Sequence, residues 1–325
     1  MNHHIAVVGL WHLGTVTAAC TSSLRFHVVG YDSDKICVRQ LNKGKAPLVE
    51  PGLDALLKQG LRKRRLTFAT DIKKAVRRAE LVILAFDTPV DEHDRVDLSS
   101  INHAVRDVTP HLQEDAVLMI SSQLPVGTTD AIRAYIDRHK KDTKVSVVYS
   151  PENLRLGQAI QRFLHPDMLI LGSNDNAIRT KLHWFLKHFR CPKIFCDTKT
   201  AELCKHALNA FLATSIVFGN EIARVADSVG AHALTISHAL SLDRRFGPRL
   251  PIAPGLGFSG GTLARDMRIL KNLSNTHRIL LPLIHGVLQS NEEQFTIVKQ
   301  KIREIFGRTQ GLRVASLGLT YKAGT

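Results

Sequence analysis

Residues 7–14 read Val7-Val8-Gly9-Leu10-Trp11-His12-Leu13-Gly14 and follow directly on the apolar pair Ile5-Ala6. An apolar β-branched run, a glycine and then a helical pattern predict a strand, a tight turn and a helix. Gly9 and Gly14 match the first and third glycines of the Gly-x-Gly-x-x-Gly turn that binds dinucleotides, while Trp11 stands at the middle position. The stretch therefore predicts the first strand–turn–helix unit of a dinucleotide-binding domain.

An acidic residue, Asp32, lies eighteen positions after Gly14, at the end of the second predicted strand. A carboxylate there accepts a hydrogen bond from the ribose 2′-hydroxyl of NAD and repels the 2′-phosphate of NADP. The residues alone leave two interpretations open: an NAD site, or an ordinary strand–turn–helix with a surface aspartate. Under the first interpretation, the cofactor-binding residues of this region are Gly9, Trp11, His12, Leu13, Gly14 and Asp32.

The first half of the chain alternates short apolar runs with amphipathic stretches. The runs are continuously apolar, which is typical of strands covered on both faces of a sheet. Strands that alternate with helices predict parallel βαβ units, so the expected class is α/β with a doubly wound, Rossmann-like parallel sheet. The predicted strands lie at residues 5–8, 27–31, 66–68, 81–85, 116–120 and 145–148.

The pattern becomes helical after Lys199. Residues 201–229 contain no proline and predict one long helix, and helical spacing continues to about Phe306 with a break in the Pro- and Gly-rich segment 247–261. Residues 312–319 predict a new strand that leads into a glycine turn. We therefore expect an NAD-binding domain over 1–197 and a helical central domain over 198–306. The beginning of a third α/β domain, cut short, is expected over 307–325.

The composition excludes several classes of protein. With 44% hydrophobic and 22% charged residues among 325, the chain is globular rather than disordered. Lys and Arg number 44 against 29 Asp and Glu, and the net charge of +15 favours anionic partners. The densest basic run, Arg62–Arg65, is interpreted as a solvated helix end. Because no aromatic-rich basic stripe accompanies it, a nucleic-acid partner is not expected.

The five cysteines are irregularly spaced and form no Cys-x-x-Cys pair, which favours a reducing cytoplasm over a disulfide framework. Their spacing, and that of the histidines near them, predicts no metal site. No apolar run reaches 18 residues, because Pro282 and His285 interrupt the best candidate, so no membrane span is expected.

A set of short motifs follows in a fixed order along the chain. The motifs are Glu50-Pro51-Gly52-Leu53, Asp87-Thr88-Pro89, Pro125-Val126-Gly127-Thr128, Ser150-Pro151-Glu152-Asn153-Leu154-Arg155, His165-Pro166-Asp167, Ala201-Glu202-Leu203, Asn209-Ala210-Phe211-Leu212-Ala213-Thr214, Asn220-Glu221-Ile222-Ala223, Arg245-Phe246-Gly247-Pro248, Gly257-Phe258 with Gly260 and Asp266, and Gly318-Leu319 through Lys322. With these motifs the sequence resembles the UDP-glucose/GDP-mannose dehydrogenase family, NAD-dependent oxidoreductases of nucleotide sugars. The resemblance covers essentially the whole chain and implies NAD as cofactor, a UDP- or GDP-linked sugar as substrate, and a homodimer.

The resemblance also implies roles for residues at the matching positions. Thr88, Pro89 and Gln123 are assigned to the cofactor. Glu152 is assigned as the general base of the family's second half-reaction, and Arg245 as a contact to the sugar nucleotide of a neighbouring subunit. On the residues alone, Glu152 is equally well a structural loop carboxylate, and for Arg245, beside Arg244, a surface arginine is favoured. The residues assigned to the substrate are Asn153, Leu154, Arg155, Arg245, Phe258, Gly260 and Lys322.

Lys205 and Asn209 lie four positions apart on the predicted long helix and therefore share one face. Beside the carboxylate of Asp266, an ammonium and a carboxamide can hold an ordered water, receive a hydroxyl proton and stabilise a developing oxyanion. A solvated surface lysine is the alternative interpretation of Lys205. The candidate catalytic set is Lys205, Asn209, Asp266, Glu152 and Thr262.

The sequence departs from the family pattern within the segment 257–266, where Thr262 occupies the place of the nucleophilic cysteine. A thiol with a pKa near 8.5 supplies appreciable thiolate, whereas an aliphatic hydroxyl supplies almost none without a strong adjacent base. Leu156 stands where a second glutamate is usual, and Gln123 where a threonine is usual. Several residues of the site thus depart from the family pattern together, while the motifs of the NAD turn and the long helix still match it.

Three functions follow from these observations. The leading hypothesis is an NAD-linked dehydrogenase of nucleotide sugars that performs a single hydride transfer. The alternative is a nucleotide-sugar-binding protein with little or no turnover, and a nucleic-acid binder is the least favoured. Apolar residues on more than one face of the long helix predict that it builds a homodimer; they are Leu203, Phe211, Ile216, Val217 and Ile222.

Overall fold

Strands are interspersed with helices up to residue 196, and the described elements from residue 198 onward are all helices. The computed structural model describes residues 3–89, 96–141, 143–152, 154–245, 250–259 and 262–317. The elements up to residue 196 are β1 (His4–Val8), α1 (His12–Ser23), β2 (His27–Tyr31), α2 (Lys35–Leu41), α3 (Leu53–Arg62), β3 (Leu66–Ala69), α4 (Ile72–Val76), β4 (Leu81–Leu84), α5 (Ser99–Val108), a 3-10 turn (Thr109–His111), β5 (Val117–Ile120), α6 (Thr128–His139), β6 (Ser146–Tyr149), α7 (Ala159–Leu164), β7 (Leu169–Gly172), α8 (Ile178–Lys181), α9 (His183–Leu186) and β8 (Lys193–Cys196). The later helices are α10 (Thr198–Val229), α11 (Ala233–Leu242), α12 (Leu263–His277) and α13 (Pro282–Phe306).

The described strands form one eight-stranded sheet in the order β3-β2-β1-β4-β5-β6-β7-β8. Neighbouring strands are parallel except β6 and β7, which meet antiparallel at Tyr149 and Gly172. The strand order reverses between β1 and β4, which is the switch point where doubly wound sheets bind ligands. The predicted doubly wound sheet is confirmed, and β7 and β8 are an addition that the apolar runs did not predict.

The centre of the sheet is covered on both faces. Every residue of β4, β5 and β6 is buried, as the continuously apolar runs at these strands predicted. Helix α1 packs against the sheet and against α3 and α7, and ten of its twelve residues are buried. Its small residues, among them Gly14, Ala18 and Ala19, allow this close approach.

Contacts between Cα atoms group the described residues into two compact units. The first unit comprises residues 3–89 and 96–203, and the second comprises residues 204–317, each with the gaps given above. Helix α10 begins in the first unit and continues in the second. The division into three domains that the sequence predicts stays a prediction.

Within the first unit, the start of α10 is tied to the start of α6 by a buried carboxylate. Glu202 accepts hydrogen bonds from the backbone N–H groups of Gly127 (2.6 Å) and Thr129 (2.8 Å), and from the Thr129 hydroxyl (2.6 Å). Burial raises the pKa of Glu202, and these hydrogen bonds oppose that rise. Glu202 thereby satisfies orphan N–H groups at the N-terminus of α6.

The second unit has a small apolar core between its helices. Ala213 and Val217 of α10 pack there with Phe258, Met267 of α12 and Val287 of α13. The long helix predicted over 201–229 is confirmed and begins three residues earlier, at Thr198. The Pro- and Gly-rich break is also confirmed, because residues 250–259 form neither helix nor strand.

The strand predicted at residues 312–319 is not observed in its described part. Residues 312–317 form neither helix nor strand, and five of these six are exposed. A strand requires a hydrogen-bonding neighbour, and none of the described strands pairs with this segment.

None of the five cysteines forms a disulfide. Burial, together with the charge of Glu50, raises the pKa of Cys20 to about 12, and burial raises that of Cys37 to about 11. In the described part of the chain, no helix has the length and apolarity needed to cross a membrane.

Both tryptophans belong to the first unit; the ring of Trp184 stacks on His3 with centroids 4.0 Å apart.

Candidate functional site

The turn between β1 and α1 depends on its two glycines. Gly9 has a positive φ of 91°, and its N–H donates to the carbonyl of Tyr31 (2.9 Å). A Cβ at Gly14 would lie 1.7 Å from the carbonyl oxygen of Gly9, so α1 and β1 approach too closely for any side chain. These are the roles of the first and third glycines in a dinucleotide-binding turn.

Asp32 lies at the end of β2, beside this turn. Its Oδ2 accepts the N–H of Leu10 (2.8 Å), and its Oδ1 accepts the N–H of Asp34 (3.0 Å). Each carboxylate oxygen can accept a further hydrogen bond, so Asp32 can also receive ribose hydroxyls. A cavity of about 570 Å³ opens next to it, and its lining includes Trp11, Asp32, Ile36, Cys37, Lys45 and Pro47. The residues present therefore fit a dinucleotide at this edge.

Trp11 occupies the N-cap of α1 with φ −70° and ψ −159°, an extended conformation that does not require glycine. The residue is 53% exposed and its side chain makes no capping hydrogen bond. The indole forms a wall of the cavity beside Asp32. Replacement of the middle glycine is thus compatible with the turn itself.

His12, predicted to contact the cofactor, is held by a buried glutamate. Its Nε2 lies 2.9 Å from Oε2 of Glu50, which also accepts the N–H of Gly157 (2.9 Å). The other oxygen of Glu50 accepts the N–H of Ala159 (2.9 Å) at the start of α7. Glu50 therefore joins three segments of the first unit, a role that its Glu-Pro-Gly-Leu motif did not reveal.

The loops after β4 and β5 meet beside the same edge of the sheet. The hydroxyl of Thr88 is buried and donates to the carbonyl of Gln123 (2.8 Å), and the N–H of Phe86 donates to the Ser122 hydroxyl (2.9 Å). Pro89 follows and is exposed. Because β1, β2, β4 and β5 are parallel neighbours, their carboxyl ends bring the cofactor candidates of the first unit to one edge.

A second group of candidates converges between α10 and α12. Asp266, in the first turn of α12, is fully buried and accepts hydrogen bonds from Nδ2 of Asn209 and from Nδ1 of His206 (2.8 Å). Lys205, the residue before His206, is only 4% exposed, so it is not a solvated surface lysine. The N-terminal end of α12 favours the negative charge of Asp266. The sequence predicted the pairing of Asn209 with Asp266 and missed His206.

The loop that precedes α12 is held by three amide side chains, which the sequence also missed. Asn291 accepts the N–H of Phe258 (2.8 Å) and donates to its carbonyl (2.9 Å). Asn220 accepts the N–H of Gly255 (2.8 Å), and Gln294 donates to the carbonyl of the same residue (2.7 Å). The backbone at Gly255 and Phe258 is therefore held by α10 and α13.

Thr262 is the N-cap of α12 and is exposed. Its side chain makes no capping hydrogen bond, and its carbonyl accepts the N–H of Asp266 (3.2 Å). The hydroxyl thus lies at the N-terminal end of α12.

The remaining described candidates belong to the segments that follow β6 and α11. Glu152 accepts the N–H of Leu154 (2.5 Å), Arg155 is exposed, and Leu156 is half-buried. Arg245 is 79% exposed and forms an ion pair with Asp243 (2.7 Å), which lowers the pKa of that carboxyl. Asn153, Gly260 and Lys322 lie outside the described residues.

Two family models match the chain. Residues 3–190 match the NAD-binding domain of the UDP-glucose/GDP-mannose dehydrogenase family, and residues 199–293 match its central domain. The chain is 31% identical over 323 residues to UDP-glucose 6-dehydrogenase YwqF of Bacillus subtilis, covering 99% of this chain and 73% of that protein. It is 32% identical over 328 residues to UDP-glucose 6-dehydrogenase of Rhizobium meliloti, covering 99% and 75%.

Solved structures agree with these matches. A UDP-glucose dehydrogenase from the archaeon Pyrobaculum islandicum is 29% identical and superimposes with a TM-score of 0.87, covering 94% of this chain and 72% of that one. A GDP-mannose dehydrogenase from Pseudomonas aeruginosa is 27% identical with a TM-score of 0.72, covering 94% and 71%.

Replacing Asn291 with Leu removes both hydrogen bonds to the buried backbone of Phe258 at nearly constant volume. We expect the free energy of unfolding of the second unit to fall by about 2–4 kcal/mol, because one N–H and one carbonyl lose their partner. The matched control is Gln289→Leu on the same helix, where the side chain is exposed and bonds to Glu293. Urea unfolding followed by circular dichroism measures both; equal effects of the two variants would contradict the role of Asn291.

Proposed function

Because this chain belongs to the UDP-glucose/GDP-mannose dehydrogenase family, we propose that it oxidises a CH–OH group of a nucleotide sugar with NAD and stops after one hydride transfer per sugar. Dehydrogenases of this kind are the relatives and the structural neighbours named above. They support an oxidoreductase rather than the alternative of a binding protein without turnover. The restriction to one hydride transfer per sugar is the part of the proposal that rests on Thr262.

The first unit supplies the cofactor site. When bound, NAD accepts the hydride that leaves the alcohol carbon. Gly9 and Gly14 allow its pyrophosphate to approach the N-terminus of α1, and Asp32 accepts the ribose hydroxyls. Thr88, Pro89 and Gln123 complete the proposed set at the carboxyl edge of the sheet. The anionic Asp32 favours NAD over NADP.

The second unit supplies the groups that handle the proton. Oxidation of an alcohol to an aldehyde releases one proton together with one hydride. Asp266 and Asn209 hold a water that receives the hydroxyl proton, and the ammonium of Lys205 stabilises the alkoxide as it forms. Asp266 retains acceptor capacity for that water, because a carboxylate offers about four lone-pair sites.

Thr262 limits the reaction to one oxidation. A second oxidation through a covalent adduct requires a nucleophile at this position, and a hydroxyl acts as one only beside a strong base. The carboxylate of Asp266, one turn along α12, already binds His206 and Asn209. Thr262 contributes a hydrogen bond or a wall of the pocket, and the product is the aldehyde or its hydrate.

The nucleotide sugar is UDP- or GDP-linked, as in the proteins that the chain resembles. Leu154, Arg155, Arg245 and Phe258 are proposed to contact it, and Glu152 would act as a general base only in a second oxidation, that of the aldehyde hydrate. Asn153, Gly260 and Lys322, which lie outside the described residues, keep their proposed roles toward the substrate. The guanidinium groups of Arg155 and Arg245 suit the diphosphate because they are exposed and always charged.

The long helix supports a homodimer. Exposed apolar side chains occur on α10 at spacings of three, seven, seven and four residues, which places them on one stripe; they are Leu208, Phe211, Phe218, Val225 and Val229. Val217, one of the apolar residues from which the sequence predicted the dimer, lies in the core of the second unit.

Five cysteines without a disulfide fit a reducing compartment, and we propose the cytoplasm.

Asp32→Ala is expected to weaken NAD binding roughly tenfold and to reduce the preference for NAD over NADP, since the variant loses a charge-assisted acceptor. Titration calorimetry with both cofactors measures this. The control, Asp137→Ala, removes an exposed carboxylate of α6 that pairs with Arg133. Equal affinity of the wild type for NAD and NADP would refute the assignment.

Mixing the protein with NAD and a panel of UDP- and GDP-sugars is expected to yield one NADH per sugar. Absorbance gives the stoichiometry, and mass spectrometry identifies the aldehyde or its hydrate. Thr262→Cys restores a nucleophile at the helix N-terminus and is expected to add some acid. Two NADH per sugar from the wild type, with a carboxylate product and an adduct on Thr262, would show that the single-step proposal is wrong.

Light scattering at micromolar concentration is expected to give twice the chain mass of 36.1 kDa. Phe218→Glu places a charge in the apolar stripe of α10 and shifts the mass toward the monomer. The control, Val49→Glu, changes an apolar residue of the first unit that is more exposed than Phe218. A monomeric wild type, or a dimer indifferent to Phe218→Glu, would count against the stripe as an interface.

A further inference from the structure

One buried imidazole at the reaction cluster has no role in the steps above. His206 has no exposed surface, and its Nδ1 lies 2.8 Å from Oδ1 of Asp266, which is equally buried. The other oxygen of Asp266 accepts the amide of Asn209. His206 and Asn209 are three positions apart on α10, so one face of that helix holds both oxygens of a carboxylate on α12.

The position of the proton follows from the chemistry of the acceptor. An ionised carboxylate has no hydrogen to give, and Asp266 also accepts from Asn209, which makes it an acceptor on both sides. The hydrogen between the two groups is therefore carried by Nδ1 of His206. Nδ1 of His206 is thus the N–H donor of this pair.

We propose that His206 is a positioning residue of the reaction centre: its Nδ1–H locks the carboxylate of Asp266 in the orientation in which Asp266 and Asn209 together receive the hydroxyl proton. With two donors one helical turn apart, rotation of the carboxylate breaks one hydrogen bond. Without the imidazole, Oδ1 turns to another donor and the water-holding geometry is lost. Displacements of about 1 Å can cost 100-fold in rate, so the lock acts on turnover rather than on substrate affinity.

This inference rests on the proposed dehydrogenase reaction, and its test uses three replacements of the same residue. The amide nitrogen of Asn reproduces the position of Nδ1, that of Gln reproduces the position of Nε2, and Phe keeps the ring without a donor. We expect His206→Phe and His206→Gln to lower kcat roughly 10- to 100-fold with KM values within about threefold, and His206→Asn to recover most of the loss.

A deuterium isotope effect distinguishes positioning from a general loss of structure. With sugar deuterated at the oxidised carbon, the effect on kcat is expected to rise in His206→Phe, since hydride transfer becomes rate-limiting, while the melting temperature of His206→Asn stays near that of the wild type. Equal kcat in all variants would overturn the proposal. Equal losses in all three, accompanied by equal loss of thermal stability, would also overturn it.

A spectroscopic measurement separates this proposal from the proposed function. In ¹⁵N-histidine-labelled protein, the signal missing from His206→Asn identifies His206, and its Nδ1 is expected to carry hydrogen. Lack of NADH formation with every sugar would refute the dehydrogenase proposal. The ¹⁵N signal would still test whether Nδ1 of His206 donates to Asp266. An Nδ1 without hydrogen would refute the lock even in an active enzyme.

Discussion

The contact between the backbone of Gly9 and the Cα of Gly14 is the constraint on which the first unit depends. With 1.7 Å between a Cβ at position 14 and the Gly9 oxygen, no residue other than glycine fits there. The contact sets α1 against β1 at the point where the strand order reverses, and so aims the N-terminus of that helix at the carboxyl edge. Asp32 takes its place from the same turn, through the N–H of Leu10.

The second unit reaches a defined geometry by polar rather than apolar means. Its core is small, and the loop before α12 is held by the amides of Asn220, Asn291 and Gln294. Asn291 bonds to the backbone of the buried Phe258, whereas Asn220 and Gln294 bond to the backbone of Gly255. The same logic places Asp266, whose two oxygens take donors from one face of α10. Because hydrogen bonds are directional, they define the geometry of the site more narrowly than apolar packing alone would.

Sequence patterns predicted those structural features that are set by residues close to one another along the chain. Strands β1 to β6 followed from continuously apolar runs, and the pairing of Asn209 with Asp266 followed from helical spacing and the family resemblance. Strand β8 was missed because it mixes Lys193 with only partly covered apolar residues. His206 and Asn291 were missed because their partners lie 60 and 33 positions away, and only the packing of helices brings them together.

The two tryptophans of the chain give the first unit an optical signal of its own. Trp184 is stacked on His3 inside the aromatic cluster of that unit. The half-exposed indole of Trp11 forms a wall of the cavity beside Asp32. An occupant of that cavity would contact the indole of Trp11, so the intrinsic emission of the protein would report its binding.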